Sequence, residues 1–453
     1  MTRHIIIGGD AAGLSAATQI RRLDPEAEII VFEKDNIISY AKCGLPYYIG
    51  GIIPEADHLK AMPPDVLQDK FEVQLHMNSE VMSIHPDEKV ITVRQKGEEV
   101  KYPYDKLLIA TGARPRLPDW TGGKLDGVFP VNTMADAHRI NAWIEEEDAR
   151  KVVIIGGGYI GLEMAETLTH KGCRVTVVTR GAQLLNPFDP DMAKLAEEEL
   201  RKHGVDVYLQ EDVIEVRGEN GRAAEVLTER TSFSAQTVIV AVGIIPNSEM
   251  AIAAGIRTGL MNAIEVNEKM ETSLPDIYAA GDCATQYHML KKMDDYIPLG
   301  TTANKQGNIA GYNMANSEKV FPGILGTAIL KAFDLECART GLNEEEARKA
   351  GIAFACVTRR TKDHAGYYPD AKTLYVKLLY QADTHILLGG QLIGYGGTKR
   401  IDTLACAITS GMTLEELIDL DVAYAPPFSG VWDPIQQAAR EVLKGLTNNK
   451  EKR

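Results

Sequence analysis

The chain has 453 residues, of which 45% are hydrophobic and 25% charged; this length suits about three globular domains and excludes a disordered or disulfide-stapled chain. Its net charge of -14 disfavours nucleic acid as a partner, because an acidic surface repels a polyphosphate backbone. The 6 cysteines form no C-x-x-C pair and no zinc-ligand cluster, and no apolar run is long enough to span a membrane. We therefore expect a cytoplasmic protein without a metal site.

Residues 4–34 have the pattern strand, glycine turn, helix and strand, which predicts a βαβ unit that binds a dinucleotide. Gly8 and Gly13 hold the first and third positions of a G-x-G-x-x-G turn, but Asp10 occupies the middle position. A carboxylate at that position repels a pyrophosphate unless the side chain points away from it. Glu33 ends the second strand, where an acid accepts hydrogen bonds from a ribose diol, and this supports the nucleotide interpretation.

A cysteine-containing segment, residues 39–48 (SYAKCGLPYY), follows this unit closely. Cys43 has Lys42 beside it and is expected to begin a helix; both features stabilise a thiolate. An isolated cysteine is ordinarily a small buried hydrophobe, and its position after the nucleotide unit is what favours a reactive thiol here. We interpret the other cysteines as structural; these are Cys173, Cys283, Cys337, Cys356 and Cys406.

A second βαβ pattern covers residues 151–180 and carries the complete fingerprint. Gly156 permits the tight turn, Gly158 lets the backbone approach a pyrophosphate, and Gly161 allows close helix packing. No acid ends the second strand of this unit, and Arg180 follows it instead. A guanidinium there favours a 2′-phosphate and hence NADPH over NADH, although a solvated loop arginine is an equal alternative.

After about residue 325 the pattern changes, and no further glycine fingerprint occurs. Residues 373–379 and 385–392 have the apolar alternation of antiparallel strands, and helical patterns follow at residues 401–410 and 414–418. The fold class is therefore α/β, with two Rossmann-like dinucleotide-binding domains and a C-terminal α+β domain.

Three further motifs make a family resemblance specific. Residues 110–112 (ATG) follow a predicted strand, residues 162–163 (LE) follow the second fingerprint, and residues 280–282 (AGD) end another strand. With two nucleotide units in one chain, they resemble the pyridine nucleotide-disulfide oxidoreductases over essentially the whole sequence. The resemblance implies FAD in the first unit, NADPH or NADH in the second, and Asp282 on the ribityl chain of FAD. The other cofactor contacts that it implies are Thr111, Gly112 and Gly281.

The resemblance also implies a domain order. Residues 1–118 and 246–323 would form a discontinuous FAD-binding domain, and residues 119–245 would form the NAD(P)H-binding domain. Residues 324–453 would form a dimerisation domain, so that the protein is a homodimer with active sites shared between subunits.

The thiol distinguishes the branches of this family. The glutathione-reductase branch uses a disulfide pair and a C-terminal His-Glu dyad, but the next cysteine here is Cys173 and the matching region, residues 424–428, reads YAPPF. A single thiol must cycle with an external thiol or as a sulfenic acid. The peroxidases and water-forming NADH oxidases carry a histidine in the first glycine turn, where this chain has Ala11.

The closest resemblance is to the coenzyme A-disulfide reductases and their persulfide-reducing relatives. They share the S-x-x-x-C motif, here Ser39 to Cys43, and two tyrosine motifs, here residues 364–369 (HAGYYP) and 422–427 (VAYAPP). The resemblance implies that Cys43 forms a mixed disulfide with coenzyme A. The tyrosines of the other subunit, Tyr367 and Tyr424, would then supply the acid; interface packing is the alternative role.

The substrate contacts that the resemblance implies lie on the first helix and before the thiol: Ser15, Gln19, Arg22, Ser39 and Lys42. Asn304 and Trp432 match contacts from the partner subunit. The expected acceptor is a small disulfide, persulfide or polysulfide of coenzyme A. Two alternatives stay open, namely an NAD(P)H oxidase or peroxidase and a flavoprotein that relays electrons without using Cys43.

Overall fold

The computed structural model describes residues 1–450, with side chains to residue 445, and places the nucleotide units on two parallel sheets. The apolar strand Arg3–Ile7 lies at the centre of the first sheet, with Ile6 packed against helices on one face and Ile5 and Ile7 packed mainly against a small antiparallel sheet on the other. All the pairings in this sheet are parallel. In spatial order its strands are Ile277–Ala279, Lys106–Ile109, Arg3–Ile7, Glu28–Phe32 and Gln74–His76.

Two helices pack closely beside this sheet, Ala11–Leu23 and Gly300–Met314. The contact depends on small residues, since a Cβ on Gly307 would overlap with the backbone of Ala12. This close approach brings the exposed edges of the two helices together and so prepares one face of the candidate site.

The second sheet repeats the plan of the first, and the predicted Rossmann-like duplication is confirmed. Its strands are also parallel. In spatial order they are Asp206–Leu209, Arg174–Thr179, Lys151–Ile155, Thr237–Val240 and Val128–Pro130. The helices of this part of the chain are Met134–Glu146, Tyr159–His170 and Pro190–Lys202.

Small antiparallel sheets flank the two cores. One contains Ser79–His85, Val90–Gln95 and Glu98–Pro103, and the other contains Val213–Glu219, Arg222–Thr228 and Ser232–Ser234. Two ribbons pair Ala113–Pro115 with Ile244–Pro246 and Gln286–His288 with Met293–Asp295. We propose the first ribbon as the boundary between the nucleotide domains, because the chain leaves and re-enters the first core there.

The C-terminal region is α+β, as the sequence predicts. Its antiparallel sheet has the order Ala328–Ala332, Leu335–Gly341, Leu387–Gly394, Thr373–Gln381 and Phe354–Lys362. Its helices are Glu344–Lys349, Ile401–Thr409, Leu414–Asp419 and Pro434–Lys450. Elsewhere lie the short helices Leu45–Ile49, Pro64–Phe71 and Glu249–Ala253. No helix in the described part of the chain has both the length and the apolar character needed to cross a bilayer.

A buried ion cluster joins the second core to the C-terminal sheet. The Lys377 ammonium lies 3.2 Å from Asp189, 2.7 Å from Asp191 and 2.6 Å from Glu344. Because Lys377 and Asp189 are both almost fully buried, each charge depends on its partners for compensation. The cluster holds the two regions in a defined arrangement.

The buried His4 ring makes the free energy of unfolding depend on pH. The ring is fully buried without a hydrogen-bond partner among the described residues, and burial lowers its pKa to about 4. Between pH 6.5 and 4 the unfolded chain binds the proton and the folded chain does not, so acid costs stability, about 2 kcal/mol by pH 5. His4→Leu should therefore reduce the loss of thermal stability between pH 7.5 and 5. An unchanged loss would contradict this role.

Candidate active site

The first glycines of the two nucleotide turns are structurally equivalent. Gly8 has φ of +112°, and a Cβ there would overlap with the Ala110 carbonyl oxygen. Gly156 has φ of +120° and the same relation to the Ala241 carbonyl. The third glycine of each turn faces the carbonyl oxygen of the first at similarly short range. These third-position glycines are Gly13 and Gly161. Both turns thus require glycine where the strand passes into the helix.

The middle positions of the turns differ. A Cβ on Gly158 would meet no atom within 4 Å, which leaves its backbone open to an approaching phosphate. Asp10 takes this position in the first turn and precedes the helix Ala11–Leu23. Its carboxylate lies 3.3 Å from the Lys42 ammonium. This ion pair shows how the first turn accommodates an acid, since part of its charge is compensated by a neighbouring cation.

Glu33 is held at the end of its strand by the backbone. One carboxylate oxygen accepts a hydrogen bond of 2.8 Å from the Gly9 N–H, and the other accepts one of 2.9 Å from the Asp35 N–H. Burial raises the pKa of Glu33, which these two bonds partly offset. The fixed carboxylate keeps lone pairs that suit the hydroxyls of a ribose.

The equivalent point of the second turn has no acid. The N–H of Gly8 donates to Phe32, and that of Gly156 donates to Val178, so Thr179 occupies the place of Glu33. Arg180 follows as an exposed side chain without an ion pair or hydrogen bond to any residue that the structure describes. It is available to an anionic group, and its role in NADPH binding stays a prediction.

The ATG turn lies where the first core meets the returning segment. The Thr111 hydroxyl donates a hydrogen bond of 2.6 Å to the Asn247 backbone carbonyl, and the Asn247 side-chain amide donates one of 2.8 Å to the Thr111 backbone carbonyl. Gly112 has φ of +64° and open space around its Cβ position. The Thr111 side chain therefore joins two chain segments, while Gly112 leaves the edge of the turn accessible.

Asp282 follows the strand Ile277–Ala279 at the same end of the sheet. Gly281 has φ of +82°, and its N–H donates to the Gln306 side chain at 3.0 Å. The Asp282 carboxylate has no hydrogen-bond partner within the described chain, and burial raises its pKa. A glycine cradle, a fixed ribose acceptor and an unpaired carboxylate along one sheet edge fit an FAD molecule.

The thiol segment is tied to the first glycine turn. Ser39 has a left-handed φ of 48°, and its N–H donates to the Gly9 carbonyl at 3.1 Å. Such a conformation is strained for serine and persists here between two fixed backbone bonds. Cys43 lies in the short 3-10 helix Lys42–Gly44, directly before Leu45–Ile49, and its side chain is exposed.

Our expectation that Lys42 and a helix start would stabilise the Cys43 thiolate is wrong for this structure. The Lys42 ammonium pairs with Asp10, and the helix after the thiol has only 5 residues. Partial desolvation and the negative charges of Glu163 and Asp282 raise the pKa of Cys43. The thiol therefore needs a base or a bound cofactor before it becomes a strong nucleophile at neutral pH.

Three of the predicted substrate residues lie on one edge of the first helix. Ser15 donates to Asn304 at 2.8 Å, and Asn308 donates to Gln19 at 3.0 Å, so the second helix supplies partners within the same chain. Asn304 is thus bonded to Ser15 of its own chain, and its contact with substrate from the partner subunit stays a prediction. Gln19 is buried, whereas Arg22 is exposed and unpaired among the described residues.

The predicted catalytic tyrosines lie together in the C-terminal region. The hydroxyls of Tyr367 and Tyr424 are 3.0 Å apart, and both side chains are exposed. Trp432 is exposed and packs against the Arg440 guanidinium at 3.6 Å. No hydrogen bond or ring contact in the described chain joins these tyrosines to Cys43, and their role at the thiol of another subunit stays a prediction.

The sequence does not identify Tyr47 and Glu163, two residues near the thiol, as functional. Tyr47 donates to Glu163 at 3.4 Å, across the contact between the thiol segment and the second nucleotide helix. The sequence contains the Tyr47-Tyr48 pair and the LE motif, but nothing in it indicates which tyrosine faces the acid.

A single chain therefore contains two glycine turns of the dinucleotide-binding type, the exposed Cys43 thiol near the first turn and a C-terminal α+β region. Residues 2–307 match the model of the pyridine nucleotide-disulphide oxidoreductase family, and residues 327–434 match the dimerisation domain of that family. The chain belongs to this family. It is accordingly an oxidoreductase whose family uses FAD and NAD(P)H.

Members of the family resemble the chain over nearly its whole length. The NAD(P)H coenzyme A polysulfide/persulfide reductase of Pyrococcus horikoshii is 42% identical over 97% of this chain and 98% of that protein. The coenzyme A disulfide reductase of Staphylococcus haemolyticus is 32% identical over 95% and 96%. The crystal structure of reduced Bacillus anthracis CoADR-RHD has a TM-score of 0.95 and 36% identity over 97% of this chain and 80% of that one.

Proposed function

We propose that the protein is an FAD-dependent NAD(P)H oxidoreductase that reduces the disulfide, persulfide or polysulfide of coenzyme A through Cys43. The observation that carries the proposal is the exposed Cys43 thiol, whose segment is hydrogen-bonded to the first glycine turn through the Ser39 N–H and the Gly9 carbonyl. The relatives named above act on coenzyme A sulfur, which supports this substrate class.

The residues for the cofactors follow from the two turns. Gly8, Gly13, Glu33 and Asp282 would hold FAD, and Gly156 with Gly158 and Gly161 would hold the pyrophosphate of NAD(P)H. Bound FAD would accept a hydride from NAD(P)H and make two electrons available to sulfur. The protein would contribute the binding, the orientation and the thiol.

The sulfur chemistry can be written for Cys43 alone. The Cys43 thiolate attacks one sulfur of coenzyme A disulfide. The S–S bond of the substrate breaks, and the electron pair of that bond leaves with a coenzyme A thiolate. A Cys43–coenzyme A mixed disulfide remains, and the departing thiolate takes up one proton. Arg22 and Lys42 are suited to the coenzyme A phosphates, and for Lys42 this requires exchange of its present partner, Asp10.

The subunit arrangement is part of the proposal. We place the Tyr367–Tyr424 pair of one subunit at the thiol of the other, where a phenol hydroxyl can supply the proton to the leaving sulfur. Exposed Phe428 and Val431 lie in the same C-terminal segment and suit an interface between two copies. We also propose a cytoplasmic location, since a single redox thiol suits a reducing compartment.

Intact-mass spectrometry of the native holoenzyme, before and after treatment with a reductant, tests the function. We expect a mass loss that corresponds to one coenzyme A per chain, located on Cys43. Absence of an adduct together with no consumption of coenzyme A disulfide would reject the proposal. Oxygen or peroxide consumption in its place would support the sulfenic-acid alternative, and turnover that survives thiol alkylation would support the electron-relay alternative.

Tyr424→Phe tests the proposed acid. Removing the hydroxyl should slow the thiol–disulfide step about tenfold or more but leave flavin reduction by NAD(P)H unchanged. The reason is that only the thiol–disulfide step needs this proton. Rapid-mixing absorbance traces separate the two steps. Tyr368→Phe is the matched control, since it removes a neighbouring hydroxyl. Slower flavin reduction with an unchanged thiol step would contradict the assignment.

Arg180→Ala tests the nucleotide preference. Loss of the guanidinium should raise the KM for NADPH about tenfold and leave that for NADH unchanged, because only NADPH carries the 2′-phosphate. Arg174→Ala removes a charge at the other end of the same strand and serves as the control. Equal effects on both nucleotides would place Arg180 among ordinary solvated residues.

A further inference from the structure

The Tyr47–Glu163 contact lies beside the thiol but has no part in the cycle described so far. Tyr47 is on the helix Leu45–Ile49, about one turn after Cys43, and its hydroxyl donates to Glu163 at 3.4 Å. Glu163 is on Tyr159–His170, the helix that follows the second fingerprint. The pair therefore bridges the thiol segment and the NAD(P)H unit.

The surroundings of Glu163 favour a carboxyl group that gains and loses a proton near neutral pH. Burial raises the pKa of Glu163 to about 7, partly against the hydrogen bond from Tyr47 and assisted by the charge of Glu166. The groups that act on it are Tyr47 from the thiol segment and Glu166 from its own helix. Cys43 in turn experiences the charge of Glu163.

Glu166 provides an independent observation. This side chain is 1% exposed; one oxygen pairs with the Lys331 ammonium at 2.7 Å, and the other is buried without a partner in the described chain. The charge of Glu166 disfavours a second negative charge on Glu163, which lies three residues earlier in the same helix. A protonated Glu163 avoids that repulsion.

We propose that Tyr47 and Glu163 form a proton relay, within one subunit, for thiol–disulfide exchange at Cys43. The inference rests on the proposed function for its substrate, but not for its effect on Cys43. It adds a proton source on the subunit that holds the thiol, separate from the Tyr367–Tyr424 pair.

The exchange step balances as follows. The Cys43 thiolate forms a new S–S bond with one sulfur of the substrate disulfide, and the electron pair of the old bond goes to the leaving sulfur. The Tyr47 hydroxyl, which donates to Glu163 at rest, turns towards that thiolate, gives it the proton and receives the proton of the Glu163 carboxyl group. Glu163 is left as a carboxylate and regains a proton from solvent. No electrons enter or leave during this step.

The relay can be tested in a single turnover of the reduced holoenzyme with coenzyme A disulfide. Tyr47→Phe should release coenzyme A about 100-fold more slowly, and Glu163→Gln should lose the inflection near pH 7 in the exchange rate. Tyr48→Phe is the matched control and should retain both, because its hydroxyl pairs with His138 instead. Normal rates and a normal inflection in both test variants would overturn the relay.

Alkylation of Cys43 by iodoacetamide provides a readout that needs no coenzyme A. In Glu163→Gln the negative charge is absent, so the pKa of Cys43 should fall and alkylation at pH 8 should be about threefold faster or more. Unchanged alkylation would overturn the relay even if coenzyme A disulfide is a substrate. A wild-type enzyme inert to coenzyme A disulfide, with alkylation that still responds to Glu163, would reject the proposed function alone.

If Glu163→Gln fails to fold, Tyr47→Phe decides the matter through its single-turnover rate. That substitution removes only a hydroxyl whose bond to Glu163 is long, so the fold should tolerate it. An unaltered rate in Tyr47→Phe would overturn the relay.

Discussion

Replacement of Cys43 by serine is expected to abolish disulfide reduction, with a loss of at least about 1000-fold in kcat, while FAD remains bound. A serine hydroxyl is too weak a nucleophile to attack a disulfide at neutral pH, and without a sulfur atom it cannot form a mixed disulfide. The proposed FAD contacts lie elsewhere, on Glu33 and Asp282 and in the glycine turn. The decisive measurement is NAD(P)H oxidation with coenzyme A disulfide, together with the flavin absorbance of the purified protein.

Other exposed thiols supply the controls for Cys43→Ser. Cys356 and Cys406 are both exposed and free, and each should be replaceable by serine with full activity. Retained turnover in Cys43→Ser would exclude the mixed-disulfide cycle and favour an electron relay. Loss of flavin absorbance in the same variant would instead show that the thiol segment is needed to hold the cofactor.

Local rules explain why the nucleotide units were predictable from sequence. The turn at Gly8 and the turn at Gly156 each need a left-handed backbone and a missing side chain within a few residues of one strand. Glu33 is predictable for the same reason, because it ends the neighbouring strand. Such features depend on short stretches of chain, which the order of residues displays directly.

The charge environment of the thiol was not predictable, because distant segments create it. Glu163 lies 116 residues after its hydrogen-bond partner, and Asn304 lies 289 residues after Ser15. Lys42 is adjacent to the thiol in sequence, yet its ammonium is paired with Asp10. Neighbours in sequence therefore mislead when the pKa of Cys43 depends on groups that tertiary packing brings together.

Asp10 shows that an acid can occupy the middle position of a glycine turn without disrupting the turn. The acid is tolerated because Lys42 lies within 3.3 Å of it, and that lysine comes from the thiol segment. The same ion pair thus connects the first nucleotide turn to the residue next to Cys43.

Gly156→Ala is expected to destabilise the second nucleotide unit by about 3 kcal/mol or more, whereas Gly158→Ala leaves folding intact and impairs nucleotide binding. At Gly156 the backbone is left-handed and the new Cβ overlaps with the Ala241 carbonyl. At Gly158 the new Cβ meets no atom within 4 Å, but it would occupy the proposed approach of the pyrophosphate.

Thermal unfolding of the holoenzyme and the KM for NAD(P)H distinguish the two glycine variants. Gly156→Ala should lower Tm and yield little active protein, while Gly158→Ala should keep the wild-type Tm with a KM raised on the order of tenfold. A wild-type Tm in Gly156→Ala would show that the turn relaxes around a methyl group. A wild-type KM in Gly158→Ala would place the pyrophosphate away from this turn, and the assignment of the NAD(P)H site would then fail.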